Sequence, residues 1–394
     1  MNPSTRLAII LSHPVQYYSP WFRWLRTNTP LCFKVFYLWE FGVLETRDPQ
    51  FAAAFKWDVD LLSGYENEFV PNRSATPGTE TFRGLDNIEL CGRLALWHPG
   101  AILMFGYNWL SHQRVIWWAR WHGIPLIFRG DSHFLGRDQP HWVQRSILGF
   151  MYRQFDAVTY VGSANRDYFT TLGVPPERLY FSPHSVDAAR FQATAPLARI
   201  AADSLRRALG LNGRRIVLFA GKFIEAKQPA TLLRAFLEVA TPSDALVFVG
   251  DGAEKGALVE LAAGNPDRCV RFLPFANQTE MPARYLLADI FVLPSRGHYE
   301  TWGLAVNEAM HLGVPCLVSD RVGCQADLVL SGETGWVFRS EDPLALPETL
   351  RDALGTSREK MQTLSRNAVA RVSHYTYRQT SEGLLDALSG RSVR

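Results

Sequence analysis

The chain has 394 residues, of which 47% are hydrophobic and 20% charged, and its net charge is +3. This length exceeds what one ordinary core supports, so two domains are expected. The small net charge, without any run of lysines and arginines, argues against nucleic acid as a partner.

Short β-rich runs alternate with helical patterns along the whole chain, which is typical of α/β domains built on parallel sheets. In the first half, strands are predicted at 7–11, 32–38, 102–104, 126–128, 157–160 and 179–181. In the second half they are predicted at 215–219, 245–249, 270–273, 290–293, 316–318 and 335–338. Helices are predicted between them, for example at 20–26, 109–121, 229–240 and 301–312.

The halves are joined by an Ala/Arg-rich stretch at 187–213, which predicts a linker with its own helix. Two doubly wound domains that face each other would place their strand ends on a shared cleft, where such sheets bind ligands. Residues 66–87 are rich in Pro, Gly, Thr, Asn and Ser and predict a long loop inside the first domain.

Cellular location is expected to be the cytoplasm. The five cysteines are scattered and lack metal-ligand spacing, which indicates reduced thiols. The apolar run at 7–11 is too short for a signal-peptide core or a membrane span. Peripheral contact with the inner face of the membrane is a hypothesis resting on the aromatic-basic helices at 21–26 and 113–121. Their tryptophans fit packing onto the sheet equally well, and packing is the preferred interpretation.

The most informative segment is LPSRGHYETWGLAVNEAMHLGVPCLVSD, residues 293–320. Glu300 and Glu308 are separated by seven residues across a loop-to-helix junction, and Gly303 lets the backbone pass close to a ligand there. Backbone N–H groups at a helix start bind anions, and nearby carboxylates can hold hydroxyl groups. Phosphate together with hydroxyls indicates a sugar nucleotide.

Three features before this segment favour the same ligand. Lys222 and Lys227 follow a strand in AGKFIEAKQP and are suitable phosphate partners, although two solvated surface lysines would look the same. The Gly-Asp-Gly of FVGDGAE is weak evidence by itself and is usually only a turn. The loop at 274–276, which contains Phe275, could bracket a base.

In this order and spacing, the features resemble the C-terminal domain of the retaining GT-B glycosyltransferases of glycosyltransferase family 4, over residues 216–337. E-x7-E with the following E-A-M-x-x-G-x-P is the most specific part. The stretches HPVQYYSPWFRWL, WDVDLLSGYENEF and GVPPERLYFSPHSVDAARF in the first half also look like bacterial members of that family.

The resemblance implies an α/β protein of GT-B architecture, with two Rossmann-like domains facing across a cleft. Residues 1–187 would form an acceptor-binding domain and 188–213 a linker. Residues 214–374 would form a nucleotide-sugar domain, and 375–394 a helix that returns to the first domain.

The resemblance also implies roles for residues. Glu300 would face the donor sugar, and Glu308 would bind the ribose hydroxyls. Lys222 and Lys227 stand where the family usually has an Arg–Lys phosphate pair; lysine at 222 keeps the charge and loses the bidentate fork. Gly303 and Leu304 would donate backbone N–H groups, and Phe275 would lie at the base.

Acceptor-side residues are less defined. His133 and Asp131 follow a strand in FRGDSHF, and either could polarise the acceptor hydroxyl. A capped structural turn is an equally good interpretation for His133. For Asp131 it is the better interpretation. The His13–Gln16 turn after the first strand would face the same cleft.

The reaction implied is sugar transfer from a nucleotide sugar, UDP- or GDP-linked, to a glycan, lipid-linked glycan or small molecule with retention of configuration. No cofactor is expected. The D-x-D pattern of Asp58 and Asp60 lies in a strand-like context, so metal independence is predicted. The alternatives are a sugar-nucleotide epimerase of the same fold, which would lack the glutamate pair, and a non-catalytic sugar-nucleotide-binding protein.

Overall fold

Runs of buried aliphatic residues form the strands, as the alternating pattern predicts. The computed structural model describes residues 6–43, 46–47, 54–137 and 140–390. Two strands, β1 (Arg6–Leu11) and β10 (Arg215–Ala220), are almost fully buried, and each has a parallel neighbour on both sides. Because helices cover both faces of a parallel sheet, such central strands are apolar on both faces.

The remaining strands complete two parallel sheets and one short antiparallel hairpin. In chain order they are β2 (Cys32–Tyr37), β3 (Thr46–Arg47), β4 (Ala54–Phe55), β5 (Asn67–Phe69), β6 (Ala101–Phe105), β7 (Leu126–Arg129), β8 (Ala157–Tyr160), β9 (Leu179–Phe181), β11 (Asp244–Val249), β12 (Val270–Leu273), β13 (Ile290–Leu293), β14 (Cys316–Ser319) and β15 (Gly335–Phe338). The hairpin pairs β3 with β4.

Helices connect successive strands. In chain order they are α1 (Tyr18–Asn28), α2 (Leu90–Trp97), α3 (Leu110–Trp121), α4 (Trp142–Tyr152), α5 (Ser163–Thr171), α6 (Ala188–Ala208), α7 (Pro229–Val239), α8 (Lys255–Ala263), α9 (Met281–Leu287), α10 (Leu304–His311), α11 (Gln325–Leu328), α12 (Ala345–Gly355), α13 (Arg358–Val372) and α14 (Tyr377–Ser389). No helix within the described ranges is both long enough and apolar enough to cross a bilayer.

Both large sheets have doubly wound topology. The first has the strand order β5-β2-β1-β6-β7-β8-β9, and the second has β12-β11-β10-β13-β14-β15. In each, the order reverses beside the first strand, between β1 and β6 and between β10 and β13. Ligands bind such sheets beyond the carboxyl ends of the strands at this switch point. The topology therefore predicts a site where β1, β10 and β13 end.

The chain crosses between the two sheets twice. Helix α6 occupies the predicted linker, and α14 returns to pack against β8 and β9 of the first sheet. The Trp21 indole N–H donates to the Ser381 hydroxyl at 2.9 Å, and the Ser182 hydroxyl donates to the Thr380 carbonyl at 2.7 Å. A Cβ on Gly383 would lie 1.8 Å from the Phe181 carbonyl oxygen, so glycine is required for this close approach.

The predicted architecture is confirmed, with twelve predicted strands matching to within one residue at each end. Two expectations are corrected. Helix α10 begins at Leu304 instead of Thr301, because Gly303 has a φ of +98° and ends the preceding loop. The predicted loop at 66–87 contains β5, a short polar strand that pairs with β2. The division into four segments stays a prediction, and its outermost residues, 1–5 and 391–394, lie outside the described residues.

Candidate active site

A cavity of about 480 Å³ lies between the two sheets, at the carboxyl ends of β1, β10 and β13. The first half of the chain lines it with the loop after β1, which includes His13 and Tyr17, and with Trp57, Asp131 and His184. The second half lines it with the loop after β10, the loop after β12 and residues 299–308. The switch points of both sheets therefore open into one cleft.

Lys227 and Glu300 form an ion pair in this cleft. Lys227 Nζ lies 2.6 Å from Glu300 Oε2, and each side chain is only about 15% exposed. The Ser295 hydroxyl donates to the same carboxylate oxygen at 3.1 Å. The lysine stem crosses Gly221, where an added Cβ would lie 3.3 Å from Lys227 Cδ. Glycine after β10 thus makes room for the cation beside the loop that carries Glu300.

The start of α10 faces the cavity through Gly303, Leu304 and Ala305. Gly303 has a left-handed backbone, and an added Cβ would lie 2.9 Å from Val322 Cγ1 and 3.1 Å from Leu293 Cδ2. The first N–H groups of a helix have no partner within it, and they carry the positive end of the helix dipole. This helix start can therefore hold an anion such as a phosphate.

Glu308 lies one turn further along α10 and is 2% exposed. Its Oε2 accepts a hydrogen bond from the Tyr285 hydroxyl at 2.7 Å. Its Oε1 is buried and has no hydrogen-bond partner in the described part of the chain. Burial raises the pKa of Glu308, and the Tyr285 hydrogen bond and the charge of Arg190 oppose that rise. A hydroxyl of a bound ligand would satisfy the unpartnered oxygen.

The loop after β12 forms the third side of the cavity. Phe275 lies on the lining, and its ring meets Trp57 of the first half edge-on, with 6.4 Å between centroids. Lys222, directly after Gly221, also lines the cavity. Two aromatic rings, a cation and a helix start thus surround one space, which suits a nucleoside diphosphate.

The two halves touch across the cleft beside this cavity. Asp131 Oδ2 accepts hydrogen bonds from the Thr301 hydroxyl at 2.8 Å and from His184 Nε2 at 3.2 Å. Burial raises the pKa of Asp131. Its hydrogen bonds and the charge of His184 lower the pKa by a larger amount, so that it falls to about 2. Burial lowers the pKa of His184, and Asp131 opposes that shift. The carboxylate therefore stays charged and ties the Glu300 loop to the first sheet.

Comparison with known proteins decides the family. The model of the family described as "Glycosyl transferases group 1" matches residues 202–371. The D-inositol 3-phosphate glycosyltransferase of Salinispora tropica is 30% identical over 342 residues, covering 77% of this chain and 69% of the relative. This chain is a group 1 glycosyl transferase, of glycosyltransferase family 4.

Other relatives of this group 1 glycosyl transferase match over slightly shorter stretches. The D-inositol 3-phosphate glycosyltransferase of Nocardia farcinica is 31% identical over 312 residues, covering 73% of this chain and 66% of the relative. A GDP-mannose-dependent mannosyltransferase of Mycolicibacterium smegmatis is 30% identical, covering 63% of this chain and 66% of the relative. The chain thus spans about two thirds of the length of these relatives.

Solved structures confirm the GT-B fold of the group 1 glycosyl transferase. Anabaena HepE in complex with UDP has a TM-score of 0.72 at 16% identity, covering 98% of this chain and 99% of that chain. The lipopolysaccharide glycosyltransferase WaaG has a TM-score of 0.68 at 16% identity, covering 98% of this chain and all of that chain.

The predicted donor-side residues of the group 1 glycosyl transferase come together, and His133 does not join them. Lys222, Lys227, Phe275, Glu300, Gly303, Leu304 and Glu308 all line the cavity. His133 is 2% exposed and lies behind the Glu300 loop. The Leu135 N–H donates to its Nδ1 at 3.1 Å, so its Nε2–H donates to the Glu300 carbonyl at 3.2 Å. Both ring nitrogens of His133 are thus bonded to backbone groups, one of them in the Glu300 loop, and its role towards the acceptor stays a prediction.

The aspartates of the D-x-D pattern stabilise loops. Asp58 accepts a hydrogen bond from the Thr279 N–H at 3.0 Å, across the cleft. Asp60 accepts from the N–H groups of Leu62 and Ser63 at 3.0 and 3.1 Å. Among the described residues, no group of three or more His, Cys, Asp or Glu side chains is placed to hold a metal ion.

Sequence reasoning missed two residues at the Glu308 carboxylate. Tyr285 donates to it from α9, and Tyr17 approaches it from the first half. Burial and then the charge of Glu308 raise the pKa of Tyr17 well above 10. The position of Tyr17 directly after the His13–Gln16 turn, which was expected to face the cleft, was the available signal.

Proposed function

We propose that this protein transfers a sugar from a nucleotide-sugar donor to a hydroxyl acceptor, with retention at the anomeric carbon. One observation carries the proposal. The Lys227–Glu300 pair, the start of α10 and the unpartnered oxygen of Glu308 lie on one wall of a single cavity. On that wall, the cation and the helix start would face the leaving phosphate of a donor. The carboxylate of Glu308 would face its ribose.

The wall suits the charge that develops during transfer. The bond from the anomeric carbon to the phosphate oxygen breaks, and the electron pair stays on that oxygen. Lys227, Lys222 and the N–H groups of Gly303 and Leu304 face this oxygen in the proposed pose. Each preorganised donor of this kind lowers the barrier by roughly 3 kcal/mol.

Glu300 and Glu308 hold opposite ends of the donor in this proposal. The Glu308 oxygen accepts from a ribose hydroxyl, and Glu300 faces the sugar that is transferred. The acceptor oxygen attacks from the face that the nucleotide leaves, and its proton passes to the departing phosphate oxygen. The configuration is thereby retained. Positive charge comes from lysines and the helix start, so we also propose that the reaction needs no metal.

The donor is proposed to carry UDP or GDP. One relative is named as GDP-mannose-dependent, and HepE was solved with UDP and with UDP-glucose. Phe275 lies where the base would sit, and its neighbours Ala276 and Gln278 also line the cavity. These residues are the proposed determinants of base choice.

A donor panel tests the function. Purified protein is incubated with UDP-, GDP- and ADP-sugars, with EDTA present, and release of the nucleoside diphosphate is measured. We expect turnover with one donor class and at least a hundredfold loss in Glu300→Gln, with donor affinity changed far less. Binding without turnover of any donor, with or without acceptors, would favour a non-catalytic sugar-nucleotide-binding protein. Recovery of an epimerised nucleotide sugar would favour an epimerase.

The acceptor is proposed to be a glycan, a lipid-linked glycan or a small molecule that enters from the first domain. The relatives' names mention D-inositol 3-phosphate, phosphatidylinositol monomannoside and glycogen, which are a small molecule, a glycosylated lipid and a glycan. We further propose a cytoplasmic protein that contacts the inner face of the membrane peripherally.

The membrane contact rests on the outer surface of α3 and α4. Trp117, Trp121, Trp142, Ile147 and Phe150, here called the aromatic face, are 50%, 88%, 71%, 59% and 47% exposed. The rings of Trp117 and Phe150 lie 6.4 Å apart, so the two helices present one surface. Tryptophan and phenylalanine enter the headgroup region of a bilayer readily.

Charge on the same surface fits an anionic bilayer. Neither α3 nor α4 contains an acidic residue, and Arg145 and Arg153 are exposed beside the aromatic face. The guanidinium carbon of Arg153 lies 6.0 Å from the centroid of the Phe150 ring. By contrast, Trp21 of α1 is buried, so packing is the correct interpretation for that helix.

Vesicle sedimentation tests this contact. We expect binding to vesicles that contain phosphatidylglycerol, and a loss of at least tenfold in Trp142→Ser/Phe150→Ser. The matched control is Leu197→Ser/Ile200→Ser on α6, whose side chains are 75% and 65% exposed and lie in another part of the fold. No binding by the wild type, or equal loss in the control, would contradict the proposed contact.

A further inference from the structure

A second cavity, of about 1170 Å³, lies at the opposite edge of the second sheet. Its floor is formed where the strands begin, at Arg215, Asp244 and Asp289. Helix α6 lines one side, and the N-terminal part of α13, from Arg358 to Arg366, lines the other. We call this cavity the arginine groove. The arginine groove is separate from the donor cleft, which lies at the other end of the same strands.

The arginine groove is strongly positive. Seven arginines line it, against two aspartates, so the lining carries more net positive charge than the +3 of the whole chain. Both aspartates are already engaged, since Asp244 accepts from Thr241 and Asp289 accepts from Arg206 and from the Ile216 N–H. The arginines are Arg199, Arg206, Arg214, Arg215, Arg351, Arg358 and Arg366.

Three of these arginines are held in place by backbone carbonyls. Arg206 donates to the Arg214 carbonyl at 2.7 Å, Arg214 donates to the Pro242 carbonyl, and Arg215 donates to the Leu354 carbonyl. These contacts have a structural role, and the one at Leu354 is made with the last turn of α12. They use only part of each guanidinium, which has five N–H donors. The buried Nε of Arg206 has no partner within the described residues.

Of the other four arginines on the walls, Arg351 pairs with Glu238 at 3.7 Å, and the remaining three are freer to receive a ligand. Arg199 of α6 and Arg358 and Arg366 of α13 are exposed. No carboxylate oxygen of the described chain lies within 4 Å of their guanidinium nitrogens. Like charges that outnumber their counter-charges repel each other, and a bound anion would relieve that repulsion.

The chemistry of the lining selects a class of anion. Guanidinium groups match the oxygens of phosphate in a bidentate manner, and the hydroxyls of Ser243 and Ser365 add further donors. Within the described part of the chain, no aromatic side chain lines the arginine groove, so a base or a sugar ring would find no stacking surface.

We propose that the arginine groove binds a compact, multiply charged phosphate anion at a site separate from the donor cleft. Strand β10 connects the two sites, since Arg215 at its start lines the groove and Ala220 at its end lines the donor cavity. At a rise of about 3.3 Å per residue, the two ends are about 17 Å apart. The anion and the donor can therefore be bound at the same time.

Calorimetry with tripolyphosphate on the full chain tests the proposal. With the donor cleft filled by saturating UDP or GDP, we expect one binding site whose affinity falls with added salt, and at least a tenfold loss of affinity in Arg358→Glu/Arg366→Glu. Saturating UDP and GDP are expected to leave the affinity unchanged, and so is Lys227→Met in the donor cleft. Competition by the nucleotides, or loss of binding in Lys227→Met, would place the anion in the donor cleft and overturn the proposal.

A matched control separates a site from a general charge effect. Arg234→Glu/Arg378→Glu makes the same charge change at exposed positions outside the groove. An equal loss of affinity in this control, or no binding by the wild type, would overturn the proposal. If the α13 variant fails to fold by circular dichroism, Arg199→Ala on the facing wall supplies the decisive comparison, with an expected loss of several fold. Unchanged affinity in that variant would count against the groove.

Discussion

Replacing Glu308 by Gln tests the proposed ribose contact most sharply. The substitution keeps the size of the side chain and a partner for the Tyr285 hydroxyl, and it removes the charge from the oxygen that faces the cavity. A hydrogen bond to a charged group contributes about 1.5–3 kcal/mol, which corresponds to a loss of about 10- to 150-fold in donor kcat/KM.

The assay compares a ribose donor with its 2′-deoxy and 3′-deoxy analogues in both proteins. In the wild type, removing the hydroxyl that Glu308 binds should lower kcat/KM by about the same factor as the Glu308→Gln substitution does. In Glu308→Gln, the kcat/KM for that same analogue should be little lower than for the ribose donor, because the contact is already weakened. Equal penalties in both proteins, for each analogue, would refute the assignment of Glu308 to the ribose.

The same variant makes a prediction about stability. Burial raises the pKa of Glu308 above its usual 4.5, so the native carboxyl holds its proton more tightly than the unfolded chain does. The free energy of unfolding of the wild type therefore falls as the pH rises from about 4.5 through the native pKa. Glu308→Gln lacks this loss. Its Tm should equal or exceed that of the wild type at pH 8, and the difference should shrink as the pH is lowered. A large drop in Tm at pH 8 would contradict this.

The remaining predictions concern the residues around the Glu300 loop. Lys227→Met should lower kcat about a hundredfold in a turnover assay, because one cation leaves the phosphate site; an unchanged kcat would contradict its role. His133→Ala should lower kcat about tenfold without removing a limb of the pH–rate profile, whereas loss of a limb would show that His133 transfers a proton. Gly303→Ala should cost about 1–3 kcal/mol of stability by denaturant unfolding, because its φ is +98° and its site is crowded, and a neutral effect would refute the strain. Asp131→Asn should lower stability at pH 7 by about 1 kcal/mol, discounted for a side chain that is 37% exposed, and the loss should vanish as the pH falls from 3.8 towards 2; a difference that persists at pH 2 would contradict it.

Much of the fold could be predicted from the sequence, because buried parallel strands have a strong local pattern. Strand β10, for example, is a continuous apolar run whose side chains are buried on both faces. Strand β5 escaped prediction because Asn67–Phe69 is short and polar, and only its backbone pairing with β2 makes it a strand. Its formation depends on residues some thirty positions away.

The candidate site divides in the same way. Glu300, Gly303 and Glu308 lie on one continuous segment, so their spacing already carried the information. The contact from His133 to the Glu300 carbonyl spans 167 positions and depends on how the two domains approach each other. No local pattern encodes that approach. For this reason the donor wall could be predicted, and the contact of His133 with the Glu300 carbonyl could not.

Retaining transfer from a nucleotide sugar is decided by the anomeric configuration of the first-formed product. Once the donor panel identifies a substrate, the transfer product with a hydroxyl acceptor is followed by proton NMR. We expect the new bond to have the same anomeric configuration as the donor and Glu300→Gln to form it at least a hundredfold more slowly. An inverted product, or full activity in Glu300→Gln, would contradict it.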